Sequence, residues 1–235
     1  MKIRIKFSKT GTMKFIGHLD IMRYFQKAMR RSEVDIAYSE GFSPHQKMSF
    51  AAPLGVGLTS SGEYFDIEVH STDSSAEMIR RINETMADGM EVLSYVQLPE
   101  DSKNAMSLVA AADYEVTFWK GRQPVPDVCQ CFSEFCSQQG IEILKKTKKS
   151  QQLVDIKPLI LESGCSQHHE EYPVIFMKLS AGSVNNLKPE LVMQAFYAFI
   201  GSEFDPFAIE VKRLELYGAA ESGLKPLESF GTVIE

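Results

Sequence analysis

The sequence predicts an α+β protein made of two tandem ferredoxin-like modules, each with the order β-α-β-β-α-β. Three observations carry that expectation. Strand-like alternation and helix-like apolar stripes take turns along the chain, the same order of elements occurs twice, and a polar stretch over residues 99–107 separates the two occurrences. The first module is expected over residues 1–100 and the second over 108–217, with a loose tail over 218–235.

The first strand is read from Ile3, Ile5 and Phe7 pointing one way and Lys2, Arg4 and Lys6 the other. A helix follows over residues 18–31, with Gly17 as a tolerable N-cap and Asp20 suiting the helix dipole. Its apolar stripe is Leu19, Met22, Phe25, Ala28 and Met29, and Arg23, Lys27, Arg30 and Arg31 fall on the other side. A strand over 36–38 runs through a Gly/Pro loop into 48–51. It is followed by a strand over 64–69 in which Phe65, Ile67 and Val69 alternate with Tyr64, Asp66 and Glu68. Ser74 and Glu77 form a capping box that opens a second helix with Met78, Ile79, Ile82 and Met86 on one face. Gly89 supplies its stop, and a strand over 90–97 closes the module.

The second module repeats this order. It has a strand over 114–119, then a helix over 127–139 with Val128, Cys131, Phe132 and Phe135 inward and Gly140 as its stop. Strands over 141–146 and 154–160 flank a basic turn, and another strand covers 174–179. Pro189 suits the first turn of a helix bearing Val192, Ala195, Phe196, Phe199 and Ile200, which ends at Gly201. The last strand runs over 207–216. The two halves do not align by residue identity, so the repeat is one of topology.

With 44% apolar and 24% charged residues, a chain of 235 can build a core. No apolar run approaches the ~18 residues that suggest a membrane span. The N-terminus alternates charge with apolar residues, so no secretory leader is expected. Four cysteines without a regular framework fit a reducing compartment, and a cytoplasmic setting is expected.

Charge is the strongest functional signal. The formal net charge is −6, yet residues 1–31 hold nine basic side chains against one acid, Asp20. That local +8 leaves −14 for the remainder. A basic surface on an acidic body suits a polyanion, with RNA the first candidate, although a Lys/Arg run also forms simply as a solvated face. The candidate phosphate contacts are Lys6, Lys9, Lys14, Arg23, Lys27, Arg30 and Arg31. Tyr38 and Phe42 are candidates to stack on bases, and His45 and Lys47 to line a binding loop. The expected RNA is structured, a tRNA or rRNA, and no membrane partner is expected.

Gly41, Pro44, Pro53, Gly55 and Gly57 give residues 41–58 a bent path unsuited to a central strand. His45 and His18 are the outside candidates for general acid–base chemistry, but each is read more simply, His45 as a loop residue and His18 as a partly buried one. Lys145, Lys146, Lys148 and Lys149 form a second basic knot, for which a solubilising turn is a commoner explanation than a nucleic-acid finger. Cys129, Cys131, Cys136, Cys165 and His168 lack the paired short spacings of structural zinc, so no metal is expected. No P-loop, dinucleotide fingerprint, nucleophile elbow or three-cysteine iron–sulfur spacing is present, so no cofactor is expected.

Residues 6–69, which contain the blocks FIGHLDIMR and YSEGFSPHQKMSFA, together with KPLI at 157–160, resemble the radical SAM-linked family of bacterial proteins. Its members stand alone or are joined to a cobalamin-binding radical SAM enzyme. This chain lacks the cluster motif, so the resemblance implies the stand-alone or appended part. Joined to the basic face, it leads to the expectation of a non-catalytic RNA-recognition or substrate-presenting protein that assists a radical SAM modification system. The rival expectations are a protein-interaction adaptor and a metal-independent ribonuclease. The order of modules is also similar to that of tandem ferredoxin-like CRISPR RNA endonucleases, but only Gly218 and Gly223 stand where those carry a glycine-rich loop.

Overall fold

The computed structural model describes residues 1–146, 151–167, 172–183 and 185–235. The fold is mixed α+β. The first stretch contains β1 (Lys2–Lys9), α1 (His18–Arg31), β2 (Met48–Phe50), β3 (Thr59–Glu68), α2 (Ser75–Asn83), β4 (Met90–Leu98) and the short α3 (Ala105–Leu108). Then come β5 (Val109–Phe118), α4 (Val128–Ser137), β6 (Glu142–Lys146), β7 (Gln151–Asp155), β8 (Ile160–Gln167), β9 (Pro173–Ser180) and α5 (Pro189–Phe199). The chain ends with β10 (Ile209–Ala220) and β11 (Gly223–Pro226).

The chain divides into two compact units, one of residues 1–110 with 213–235 and one of residues 111–212. The first is therefore discontinuous, with β10 entering it at Arg213. Its strands run β4-β1-β3, with β2 also on β3, and the β1–β3, β1–β4 and β2–β3 pairings are antiparallel. Helices α1 and α2 cover one face. Ile21, Phe25, Ala28 and Met29 of α1, with Met78 and Ile82 of α2, meet Ile3, Ile5, Phe65 and Ile67. Phe25 lies 4.6 Å from both Phe7 and Phe65 by ring centroids. The Ser74 side chain accepts from the Glu77 N–H and starts α2 as a cap should. Leu19, expected in the stripe of α1, is 66% exposed instead. It sits in the first turn, at the edge of the inward face.

The expected loose tail is a second layer. β10 and β11 form a hairpin whose register runs from Tyr217↔Pro226 to Ala220↔Gly223. A 3-10 turn over Leu227–Phe230 buries Leu227, and Thr232 and Gln97 exchange two backbone hydrogen bonds. A Cβ at Gly231 would meet Gln97 O at 2.8 Å, so only glycine lets this strap lie so close to β4.

In the second unit, β9 pairs with β5 on one side and β8 on the other. α4 and α5 meet through Phe132 and Phe196, 5.4 Å apart edge to face. β6 and β7 form their own two-stranded sheet. The strand expected over 154–160 ends early. Pro158 lacks an N–H to continue a ladder, and the chain turns through a 3-10 helix over Lys157–Leu159. The Asp155 carboxylate accepts from the N–H groups of Ile141 and Lys157 and pins that turn, which holds its pKa low. Lys148, Lys149 and His168 lie outside the described residues.

The cysteines depart from the reduced state expected of them. Cys129 of α4 and Cys165 of β8 form a disulfide, whereas Cys131 and Cys136 are free and half-buried. Burial raises the Cys136 thiol pKa. The bond follows from proximity that the fold creates between residues 36 positions apart, which spacing cannot reveal.

Candidate nucleic-acid interface

The basic residues of the N-terminal segment separate into two populations. Those on β1 are consumed within the first unit. Arg4 is fully buried, its guanidinium gripping both Asp66 oxygens at 2.8 and 3.0 Å and donating to Leu227 O. Lys6 donates to Glu215 and Glu228, each at 2.7 Å. Burial opposes its charge, but the hydrogen bonds and fields of both carboxylates prevail and raise its pKa. Lys9 is buried and donates to Ile16 O at 3.0 Å, and burial lowers its pKa. Lys2 donates to the carbonyls of Glu100 and Ser102. Lys6 and Lys9 are thus corrected from candidate phosphate contacts to structural cations. For Lys6 the physical reason is the second layer: residues 223–230 and α3 occupy the side of the sheet that alternation alone leaves to solvent. Lys9 lies on the other side, among Phe7, His18, Ile21 and Phe50 under α1.

The residues of α1 behave differently. Arg23, Lys27, Arg30 and Arg31 are all exposed, at the spacing that puts them away from Phe25 and Met29. Arg23 pairs only with exposed Asp20 at 3.2 Å. Arg30 and Arg31 each donate to one backbone carbonyl, of Gln26 and Thr85. Lys27 has no ion-pair partner among the described residues. Lys14 lies 5.5 Å from the ring centroid of exposed Phe15.

Beside α1 stands the loop between residues 38 and 47. Ala37 N–H donates to Glu68 O and Lys47 N–H to Ala37 O, so the loop leaves and rejoins the edge of the sheet. Tyr38 bridges Gln46, and Gly41 takes a φ of +107°, a left-handed turn that favours glycine. Ser39 holds His45: its Oγ lies 2.8 Å from Nδ1 and accepts from the His45 N–H at 3.1 Å. Phe42 is fully exposed at the tip and Tyr38 is 47% exposed. Lys47 pairs with Glu68 at 2.6 Å, both half in solvent.

Two clefts flank this loop. One, of about 210 Å³, is lined by Arg30, Tyr38, Pro44, His45 and Gln46 and joins the helix to the loop. The other, of about 450 Å³, has Lys2, Lys47 and Lys103 among its polar lining and Met48, Ile67 and Leu98 among its apolar lining. The structure thereby brings together Arg30, Tyr38 and His45, with Lys47 on the far side of the same loop. Sequence reasoning missed Gln46 and Lys103. Gln46 lay inside the YSEGFSPHQK block, but nothing in its spacing set it apart.

His18 sits apart from these clefts, edge to face with Phe50 at 5.5 Å. Burial lowers its pKa, against the pull of Glu63, and favours the neutral ring. Close by, Glu63 and Arg213, both buried, form a two-pronged ion pair with one arm at 2.7 Å. The space between His18, Lys9 and Glu63 is about 10 Å³, too small for a substrate. Among the described residues no group of three or more His, Cys, Asp or Glu side chains is placed to hold a metal ion. No helix among them is long and apolar enough to cross a membrane.

Fold and site together define an α+β protein that carries a basic helical ridge beside an aromatic-tipped loop. The chain belongs to a family described as "Uncharacterized protein conserved in bacteria (DUF2344)", whose model matches residues 2–189. That description names no reaction and no radical SAM enzyme. No curated protein matches the sequence. Among solved structures, the chain is similar to one in "Crystal Structure of a Cbf5-Nop10-Gar1 Complex", with a TM-score of 0.51 and 10% identity. The match covers 91% of this chain and 48% of that one, so this chain spans about half its length. At that identity the likeness speaks to the fold alone.

Proposed function

We propose that this is an RNA-recognition protein, without catalytic activity of its own, that contacts its RNA through the exposed face of α1 and the loop that follows it. One observation carries the reading: Arg23, Lys27, Arg30 and Arg31 stay in solvent, with Arg30 beside Tyr38 and His45 of the loop, while Arg4 and Lys6 of β1 are paired with carboxylates inside the fold. Cations spaced along a helix neutralise phosphates, and exposed rings beside them stack on unpaired bases. The partner proposed is a structured RNA of the tRNA or rRNA kind in the cytoplasm, where reductants compete with the Cys129–Cys165 bond. The resemblance over residues 6–69 extends the proposal: the protein presents this RNA to a radical SAM enzyme. The strand order β4-β1-β3-β2 supports reading the first unit as a ferredoxin-like module. The pairing β5-β9-β8, with α4 after β5 and α5 after β9, supports the same for the second, with β6 and β7 as an inserted hairpin.

The test is binding to bulk tRNA as a function of salt. Each phosphate contact contributes roughly 0.7–0.9 to the log–log slope, so Arg23→Ala/Lys27→Ala/Arg30→Ala flattens it by about two to three. Absence of saturable binding at low salt, or an unchanged slope in the folded triple variant, overturns the reading. Loss of a co-purifying protein in that variant, with no RNA affinity in the wild type, identifies an adaptor. Specific cleavage products without metal that vanish in His45→Ala identify a ribonuclease.

A further inference from the structure

Gln46 is 6% exposed and lines both clefts. Its Nε2 donates to Gln26 O at 3.2 Å and lies 3.5 Å from the Tyr38 hydroxyl. Because Gln26 O accepts only, the amide orientation is fixed, and Oε1 is left buried with no hydrogen-bond partner among the described residues. A buried acceptor without a donor is costly, and interiors rarely keep one. Here it stands between an exposed tyrosine ring, an exposed arginine and the wall of a second, larger cleft.

We infer that the two clefts are successive base sites for an unpaired RNA strand that crosses the loop at His45, and that the smaller one reads a base through an exocyclic amine. This rests on the RNA reading above and goes further by naming the substrate as single-stranded and its recognition as base-selective. In the smaller cleft, one base stacks on Tyr38, its phosphate meets Arg30, and its amine donates to Gln46 Oε1 once a small movement of the loop uncovers that oxygen. The next nucleotide lies in the larger cleft against Met48 and Leu98, where Lys103 offers positive charge and Lys47 can exchange Glu68 for a phosphate. The alternation of cation, ring and buried acceptor along one path is what a strand of phosphates and bases requires. Adenine, cytosine and guanine carry such an amine, whereas uracil does not.

The experiment measures anisotropy of labelled 12-nucleotide single strands. The probes are oligoadenylate, the same strand with purine in place of adenine, which lacks the amine, and oligoadenylate paired to its complement. The inference expects oligoadenylate to bind about fivefold tighter than the purine strand, the effect of one hydrogen bond. It expects the duplex to bind more weakly than either. Gln46→Met should equalise the two single strands, and Tyr38→Ala, at an exposed position, should weaken both about tenfold. Equal binding of oligoadenylate and the purine strand by wild-type protein overturns the inference without any variant. If salt-dependent binding persists but strand, duplex and amine make no difference, the base sites are wrong and the RNA reading stands. If neither oligonucleotides nor bulk tRNA bind, both fall.

Discussion

Strand β1 and helix α1 are neighbours in sequence and carry similar numbers of cations, yet the fold treats them oppositely. On β1, each basic side chain ends on a carboxylate or a carbonyl, supplied largely by β3, β10 and the C-terminal turn. On α1, the basic side chains stay in water, with at most an exposed aspartate or a carbonyl as partner. A helix buries one stripe and leaves the rest to solvent. A strand in a sheet has two faces, and either can be covered. Positive charge on a helix opposite its buried stripe is thus a better pointer to a binding surface than positive charge on a strand.

The contrast can be broken at its strongest points first. Phe25, on the buried side of α1, should cost about 3–5 kcal/mol when changed to alanine, as a fully buried ring does. Arg4→Ala should cost a similar amount, about 3–5 kcal/mol, because Asp66 loses the partner of a largely buried pair. Urea denaturation measures both. A loss below about 1 kcal/mol for Arg4→Ala would show that β1's cations are as dispensable as a surface residue's.

Titration sharpens the contrast within β1 itself. Lys6 has a pKa raised above 10.5, so its folded state holds the proton longer than its unfolded state. Its stabilising contribution is fully present below pH 10.5 and is lost as pH rises through the higher folded value. Lys9 has the opposite shift, so its burial costs stability below its lowered pKa, and that cost is relieved as pH climbs toward 10.5. Stability followed against alkaline pH should fall less steeply in Lys6→Gln than in the wild type. In Lys9→Met, which lacks the relief, it should fall more steeply. Identical profiles in all three proteins would remove the distinction.

The smallest stability effect belongs to α1's outer face. Arg23→Ala, Lys27→Ala and Arg30→Ala should each shift stability by only about 0.5 kcal/mol or less, while changing RNA affinity most. A cooperative loss of several kcal/mol in thermal melts of the triple variant would place these residues in the structural class with Arg4.

Much of this was legible in the residues. Alternation in β1, the stripe around Phe25 and the Ser74 cap each name a local structure because each depends on neighbours in sequence. The fate of Arg4 and Lys6 depends on residues 62, 209 and 222 positions away, and no local pattern reports on those. One clue was present. Tyr64, Asp66 and Glu68 form the polar face of β3, and antiparallel pairing sets Arg4 opposite Asp66 and Lys2 opposite Glu68. Opposite charges on facing strands point to a shared covered face rather than two solvated ones. β8 was invisible because most of its residues, including Glu162, Ser163 and Gly164, face water and leave no apolar rhythm. Within the site, the exposed cations of α1 and the rings of the loop were readable by residue type. The orphaned oxygen of Gln46 was not, since it arises only when Tyr38 and Gln26 close around it.

Because the first unit takes in residues 213–235, it cannot finish assembling until those residues have been made. Glu63 emerges from the ribosome 150 residues before Arg213, and Lys6 leaves 222 residues before Glu228. During that interval β1 and β3 carry charges whose counterparts do not yet exist, and a strand edge awaits β10. The nascent protein therefore presents its whole N-terminal basic segment, β1 included, to whatever surrounds it, and only the arrival of residues 213–230 withdraws β1 from solvent and leaves α1 as the surface on offer.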